Sequence, residues 1–134
     1  MSAERDEISF GTLVLHDTGA EFKLAYDFVV CIGAGTTLIA PAGTTTDGAS
    51  IPRFFWRLIG PPMTGRYRQA AVIHDAGYTG DLQWRIDGAL REYDRKAMDA
   101  LFERLMKALG VSWWRRRMMY LAVRWFGAKH WTDR

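Results

Sequence analysis

The chain has 134 residues and a mass of 15.3 kDa, enough for one compact domain and too little for two independent cores. Hydrophobic residues make up 49% and charged residues 25%, so the composition excludes intrinsic disorder and is typical of a soluble globular protein. The formal net charge is only +3, yet from Arg104 onward the chain has a single acid, Asp133, among many basic residues. The carboxyl-terminal part is therefore predicted to carry a basic surface.

Cysteine content and apolar runs bear on the compartment. Cys31 is the only cysteine, so no internal disulfide is expected and a reducing cytoplasm is the default. Charged residues fill positions 4–7, where a secretory signal needs an apolar stretch. Apolar runs such as residues 118–123 fall far short of the roughly 20 residues of a spanning helix. We expect no signal peptide and no transmembrane segment.

The first third of the chain predicts a small antiparallel sheet of about three strands. Residues 8–15 and 21–32 are rich in β-branched and aromatic residues and are separated by an Asp-Thr-Gly turn signal at 17–19. This pattern predicts a β-hairpin. Residues 36–41 predict a third strand between glycine-containing turns.

The remainder predicts about four helices, with residues 81–88 as a connector. Ser50 and Ser112 are candidate caps, and Gly110 is the expected carboxyl-terminal cap of the longest helix. The predicted helices span residues 52–59, 67–78, 90–109 and 112–126. Strands followed by helices indicate an α+β fold. We expect one domain over residues 1–134, mainly β over 8–43 and mainly α over 50–127.

His74 and Asp75 are adjacent polar residues in the otherwise apolar helical segment 70–78. Neighbours on a helix lie about 100° apart around its axis, so both heads can reach one cation or one water. A buried, unpaired carboxylate is costly. We therefore expect Asp75 to meet a metal, an arginine, several donors or solvent.

Two loop residues, Asp47 and Ser50, flank a glycine turn ahead of the predicted helix 52–59. Gly48 permits a tight turn, so both side chains can converge on a site held by the neighbouring strand and helix. The alternative is that they only cap the following helix, because aspartate and serine are common caps.

Arg95 and Asp99 are four residues apart on the longest predicted helix. Such a pair is usually a solvated contact worth about 0.3–0.5 kcal/mol. Asp99 follows Met98 at the edge of the apolar stripe of that helix, so its carboxylate can also face inward.

Several of these side chains suit a metal site. Ser50 and Arg95 can bind or orient an anionic substrate, and a bound divalent ion such as Mg, Mn or Zn would acidify a water for hydrolysis. We predict that Ser50 and Arg95 form a catalytic set together with four metal ligands. The predicted ligands are Asp47, His74, Asp75 and Asp99.

The run Ala-Ala-Val-Ile-His-Asp-Ala-Gly at 70–77 resembles the His-Asp helix of the metal-dependent phosphohydrolases named for that pair. Those enzymes also need an upstream histidine and a later aspartate. The only upstream histidine here, His16, lies in a predicted strand, so Asp47 would have to take its place.

A longer pattern covers residues 8–131. It joins Asp-Gly-Ala-Ser-Ile-Pro-Arg-Phe-Phe-Trp at 47–56, the His-Asp pair and blocks at 95–102, 110–111 and 119–127. These blocks resemble the bacteriophage and prophage family known as domain of unknown function 1353. The resemblance implies no agreed activity; it implies a phage or prophage origin and a location in the infected host cytoplasm or the virion. The family's hallmark positions correspond to Asp47, Ser50, Pro52, Trp56, His74, Asp75, Arg95 and Asp99.

Basic and aromatic residues open the last predicted helix, in the run Trp-Trp-Arg-Arg-Arg at 113–117. Positive charge there opposes the helix dipole, so a compensating partner is expected. In one interpretation Arg115, Arg116 and Arg117 bind phosphate, nucleic acid or anionic lipid. In the other they pair with acids of the preceding helix or face water, while a stripe of period 3.6 is buried. That stripe consists of Trp113, Met118, Leu121, Ala122 and Trp125.

Three function classes remain open. One is a metal-assisted hydrolase of a phosphoester-like bond, with Arg95 clamping the anion. Another is a non-catalytic virion, tail or host-directed binding protein, with other virion proteins or a host target as partner and the polar residues forming a buried network. The last is a nucleic-acid-binding module whose affinity falls steeply with salt. Polar heads around an open pocket would favour the first, and an Arg95 filling that space with bidentate bonds would favour the second.

Overall fold

The structure is a computed structural model and describes residues 7–19, 21–46 and 67–132. Within these ranges the chain forms eight β-strands, three α-helices and one short 3-10 helix. The strands are β1 (Ile8–Phe10), β2 (Leu15–Asp17), β3 (Phe22–Leu24), β4 (Phe28–Ile32), β5 (Thr36–Ala40), β6 (Thr45–Thr46), β7 (Gln83–Ile86) and β8 (Ala89–Leu90). The helices are α1 (Arg68–Thr79), α2 (Arg95–Ala108) and α3 (Trp113–Phe126), followed by the 3-10 helix Ala128–His130.

The strands form two antiparallel sheets. The larger has five strands in the order β1-β4-β5-β7-β8, and the smaller has three in the order β2-β3-β6. Strand β4 alternates buried and half-buried residues, so that Phe28, Val30 and Ile32 face the core. This period of two is typical of a sheet covered on one face. Helix α1 contacts β5 and β6 and so supplies part of that cover.

Helix α1 is the central element of the helical layer. Every residue from Ala70 to Tyr78 is buried, and a helix that is apolar all round is expected to lie inside a fold. It ends at Gly80, whose φ of 88° is left-handed and whose N–H bonds to Gly77 O. Helix α2 packs against both α1 and α3. This arrangement places α2 between α1 and α3, against the face of α1 that carries His74.

The sequence-based strand count was wrong, although the fold is α+β. Eight strands replace the expected three, and the described ranges contain three α-helices against about four predicted for the whole chain. Residues 8–15 and 21–32 each contain a break, so β1 pairs with β4 while β2 pairs with β3. Only this inner pair forms the predicted hairpin around the turn at 17–19. Each break contains a single turn-favouring residue, Gly11 or Asp27, which is a weaker signal than the Asp-Thr-Gly run at 17–19.

The predicted connector 81–88 was also wrong, because it contains β7. Strand β7 pairs with β5 in the large sheet, and its Trp84 is buried opposite Leu38. Strand β8 occupies the place where the longest helix was predicted to begin. That helix starts at Arg95 instead, because Asp94 caps it by accepting the N–H of Ala97 at 2.8 Å.

Other helix predictions were closer. The bounds of α1 and α3 match the expected helices within one residue, and Gly110 follows α2 with a left-handed φ of 83°. The predicted helix 52–59 lies outside the described residues. Among the helices in the described ranges, none combines the length and apolarity that a membrane crossing requires.

The buried stripe expected on α3 was wrong for its two tryptophans, whereas Ala122 is buried as predicted. Trp113 and Trp125 are 67% and 68% exposed. The buried residues of this helix are Met119, Ala122 and Val123. The pattern misled because α3 has apolar residues on two faces, and periodicity alone does not show which face meets the core.

Candidate functional site

A buried histidine–aspartate pair joins α1 to α2. His74 Nε2 lies 2.7 Å from Asp99 Oδ1, and the side chains are 1% and 0% exposed. His74 comes from the apolar central helix, and Asp99 lies on the inward face of α2 beside buried Met98. Tyr78 and Phe102 contact the imidazole ring, with centroids 4.2 and 4.5 Å away. The ring is therefore fixed by packing as well as by its hydrogen bond.

Asp99 accepts hydrogen bonds at both carboxylate oxygens. The Tyr78 hydroxyl donates to Oδ1 at 2.5 Å, and Arg124 of α3 donates to Oδ2 at 2.8 Å. Burial alone would raise the pKa of Asp99, but hydrogen bonds and charge from His74, with bonds from Tyr78 and Arg124, hold that pKa below its usual 3.8. Asp99 is thus ionised at neutral pH, and His74 Nε2 is the donor.

Tyr78 is held in its neutral form. Burial raises the pKa of its hydroxyl, and the hydrogen bond to Asp99 raises it further, whereas Arg95 acts in the opposite direction. Arg95 Nη1 lies 3.4 Å from the hydroxyl oxygen. Tyr78 therefore acts as a neutral donor that helps to fix the Asp99 carboxylate.

Arg95 lies beside this cluster without filling it. Its Nη1 is 3.6 Å from Asp99 Oδ2, an ion pair longer than a hydrogen bond. It donates instead to carbonyl groups at the end of α3, at 2.9 Å to Val123 and 3.2 Å to Arg124. The Arg95–Asp99 contact, expected to be solvated, therefore has a fully buried aspartate. A bidentate Arg95–Asp99 pair does not occur.

Asp75 faces a different neighbour. Its Oδ2 accepts a hydrogen bond from the Thr46 hydroxyl of β6, and both side chains are buried. One position after His74, Asp75 points about 100° away around the helix axis. The two residues thus link α1 to two separate elements, the small sheet and α2.

The structure brings together part of the predicted site. His74, Asp99 and Arg95 are neighbours, and Asp75 lies next to them in the chain. Asp47 and Ser50, with the hallmark positions Pro52 and Trp56, lie outside the described residues. In the described part of the chain, no group of three or more His, Cys, Asp or Glu side chains has metal-site geometry. The metal-ligand assignments stay predictions.

Sequence reasoning missed three hydrogen-bond partners of the predicted site residues. Tyr78 had a usable signal, since it lies four residues after His74 and so on the same helix face. Thr46 and Arg124 had none, because they are 29 and 25 residues from their partners in the chain. Contacts of this length depend on the tertiary fold alone.

The basic run on α3 has partners within the chain. Arg115 donates to the Tyr67 hydroxyl at 3.3 Å, and Arg117 pairs with Glu103 of α2 at 2.9 Å. Arg116 bonds to the Val111 carbonyl at 3.2 Å and lies 4.0 Å from Glu103. Pairing with an acid of the preceding helix therefore occurs for two of the three. Binding of nucleic acid or another anion by these residues stays a prediction.

Fold and site together define an α+β domain in which the three helices of the described ranges meet at one buried His–Asp centre. The family described as "Protein of unknown function (DUF1353)" matches residues 22–123, and the chain belongs to it.

Two relatives from Sinorhizobium fredii (strain NBRC 101917 / NGR234) are similar over most of the chain. The "Uncharacterized protein y4jT" is 36% identical over 91% of this chain and 33% of its own length. The "Uncharacterized protein y4iH" is 34% identical over 90% of this chain and 46% of its own length. The chain thus spans less than half of either relative. No solved structure gives a significant match.

Proposed function

We propose that this protein is a hydrolase in which His74 acts as general base. The observation that carries the proposal is the 2.7 Å contact between His74 Nε2 and an ionised, fully buried Asp99. A carboxylate in this position fixes the tautomer of the ring and stabilises the imidazolium that forms when the base accepts a proton. Nδ1 is then the ring nitrogen that does not face Asp99.

The chemistry follows from this tautomer. His74 Nδ1 accepts a proton from the attacking water, and the imidazolium then returns it to the leaving oxygen. Asp99 remains ionised throughout and acts as a positioning residue. Tyr78 and Arg124 support it in turn, since each donates to one of its two oxygens.

A divalent ion is an alternative form of the same proposal, because His74 Nδ1 can either accept a proton or ligate an ion, but not both. If Nδ1 ligated Zn or Mn, with the neighbouring Asp75 offering a carboxylate oxygen, the ion would acidify the water in place of the base. Asp47 would be the further ligand. Asp99 fits the role of the second partner that orients a ligating histidine, because its oxygens already bond to His74, Tyr78 and Arg124.

Local charge supports an anionic, phosphoester-like substrate. Arg95 and Arg124 are both partly exposed, at 21% and 27%, and they face the single negative charge of Asp99. The cluster formed by these three side chains is therefore net positive. A positive potential beside a general base favours substrates that carry negative charge.

The test compares wild type, His74→Ala and the control His16→Ala, which removes an exposed strand histidine. Each is assayed on p-nitrophenyl phosphate, bis-p-nitrophenyl phosphate and a p-nitrophenyl carboxylic ester with Mg, Mn, Zn or EDTA. We expect the best substrate to lose about 100-fold in rate in His74→Ala only, and metal analysis of the purified proteins to show an ion that this variant loses. Equal rates in wild type and His74→Ala would contradict the proposal. So would the absence of both metal and hydrolysis in wild type, with His74→Ala differing only by melting earlier.

A second candidate is a non-catalytic protein in which the same residues are architectural. The favouring observation is burial, since His74 and Asp99 are 1% and 0% exposed and Asp99 has a donor for each oxygen. Networks of this kind fix elements relative to one another. The function would then be binding to a virion component, a tail protein or a host target.

A phage or prophage origin is also part of the proposal, with action in the infected host cytoplasm or in the virion. The order of the motif blocks supports it. Prophage induction in a strain that encodes the chain, followed by mass spectrometry of purified particles and cell lysate, tests it. We expect the protein to appear on induction; expression unchanged by induction and absence from particles would contradict it.

A further inference from the structure

Helix α3 presents a second apolar surface on its solvent side. Trp114, Met118, Leu121 and Trp125 follow the spacing i, i+4, i+7, i+11, which places them on one face, called here the outer stripe. Trp114 and Trp125 are 46% and 68% exposed. Met118 and Leu121 are half-buried. Of the buried residues of α3, Met119 and Val123 lie on the far side of the helix and Ala122 borders the outer stripe. Packing against the core therefore does not account for the two exposed tryptophans.

Positive charge borders the outer stripe. Arg117 lies beside it and is 42% exposed, and the Arg115 guanidinium lies 5.2 Å from the Trp114 ring centroid. A groove of about 560 Å³ between α2 and α3 adds further cations and the exposed ring of Trp113. Its lining residues are Ala100, Glu103, Arg104, Lys107, Trp113, Arg116 and Arg117. Glu103 is the only acid among them.

We propose that the outer stripe docks this protein on the surface of an anionic bilayer. Tryptophan combines an apolar ring with a donor N–H and is favoured at the boundary between headgroups and acyl chains. Aliphatic residues between two tryptophans, with arginine at the side, are the composition of a helix that lies in this boundary. The cations of the groove are placed to meet lipid phosphate groups.

Other occupants fit the surface less well. A two-fold contact between the outer stripes of two copies would bring their arginines together, and α3 carries no acid that could reach the arginines of the other copy. The acids that pair with Arg117 and Arg124 are Glu103 and Asp99, on α2 of the same chain. Single-stranded nucleic acid would use the tryptophans and arginines for stacking and phosphate contacts. It would leave Met118 and Leu121 without a role, whereas both have one at a lipid surface.

The experiment measures binding of the full chain to vesicles of phosphatidylcholine alone or with phosphatidylglycerol. Co-sedimentation gives the affinity, and quenching of tryptophan by brominated lipid reports insertion. The double variant Trp114→Ala, Trp125→Ala removes the two anchors. Tyr26→Ala is the control, because Tyr26 is 69% exposed and lies between two strands of the β region.

We expect binding and quenching with phosphatidylglycerol vesicles, about a tenfold loss of affinity in the tryptophan double variant and no loss in Tyr26→Ala. The result does not depend on hydrolysis, so it stands or falls separately from the catalytic proposal. Absence of vesicle binding would overturn the inference. Binding without quenching that disappears in high salt, or binding of a single-stranded oligonucleotide but not of vesicles, would also overturn it.

Discussion

Asp99 is the residue on which the site depends. It is fully buried and ionised, and three other side chains donate to it: His74, Tyr78 and Arg124. Its position at the edge of an apolar stripe allowed the inward orientation to be predicted. The sequence could not show that Arg124, rather than Arg95, makes the short bond, because that depends on how α3 crosses α2.

Replacing this carboxylate is expected to destabilise the fold. Asp99→Asn keeps the volume but leaves Arg124 and the His74 ring without an anionic partner, which costs about 3 kcal/mol of unfolding free energy. Urea denaturation at pH 7 measures the change, with the exposed Glu92→Gln as control. Equal losses in both variants would contradict the assignment.

Acid stability is expected to depend on the same carboxyl. The pKa of Asp99 is lower in the folded protein than its usual 3.8, so its contribution is fully present above about pH 4 and is lost as pH falls through the folded value. Unfolding free energy measured from pH 6 downward should therefore decrease less steeply in Asp99→Asn than in wild type. Parallel curves would show that Asp99 does not titrate with folding.

At the scale of elements, the cluster connects all three helices. Arg95 ties α2 to carbonyl groups at the end of α3, while His74 ties α1 to α2. Periodicity and Gly110 were enough to predict α2 and its end, whereas the cap at Asp94 that sets its start was missed. The exposed apolar face of α3 could not be predicted, because its exposed tryptophans follow the same helical spacing as buried residues do.

Arg95→Lys is expected to weaken the connection between α2 and α3. Lysine keeps the charge but cannot reproduce the two fixed N–H directions that reach Val123 and Arg124, so about 1–2 kcal/mol of unfolding free energy should be lost. The control is Lys96→Arg, at an exposed neighbouring position. Chemical denaturation checks the difference, and an unchanged Arg95→Lys would contradict the role of the two carbonyl bonds.

Gly77→Ala probes the close approach of α1 and α2. A Cβ atom at Gly77 would lie 2.8 Å from Cγ of the buried Met98 and nearer still to its Sδ and Cε. We expect a net loss of about 1–2 kcal/mol despite the better helix propensity of alanine. In a Met98→Ala background, Gly77→Ala should change the unfolding free energy very little. If Gly77→Ala costs the same with and without Met98→Ala, direct packing between the two residues is contradicted.

At the scale of the molecule, the order of strands and helices was enough to predict an α+β fold. It was not enough to predict two sheets, because one glycine in the break at 11–14 and one aspartate in the break at 25–27 do not by themselves distinguish a break from a continuous strand. Nor did it reveal β7, which returns to the large sheet after the central helix. Pairings between distant strands are fixed by packing rather than by local propensity.

The most direct measurement is long-range ¹H–¹⁵N NMR of the His74 imidazole in the intact protein, assigned with His74→Gln. In the folded protein at neutral pH we expect Nε2 to carry a proton that is hydrogen-bonded to Asp99. We expect the ¹⁵N signal of Nε2 to move strongly in Asp99→Asn. A ring protonated at Nδ1 alone, or a signal that does not respond to Asp99→Asn, would contradict the account of His74 as a base positioned by Asp99.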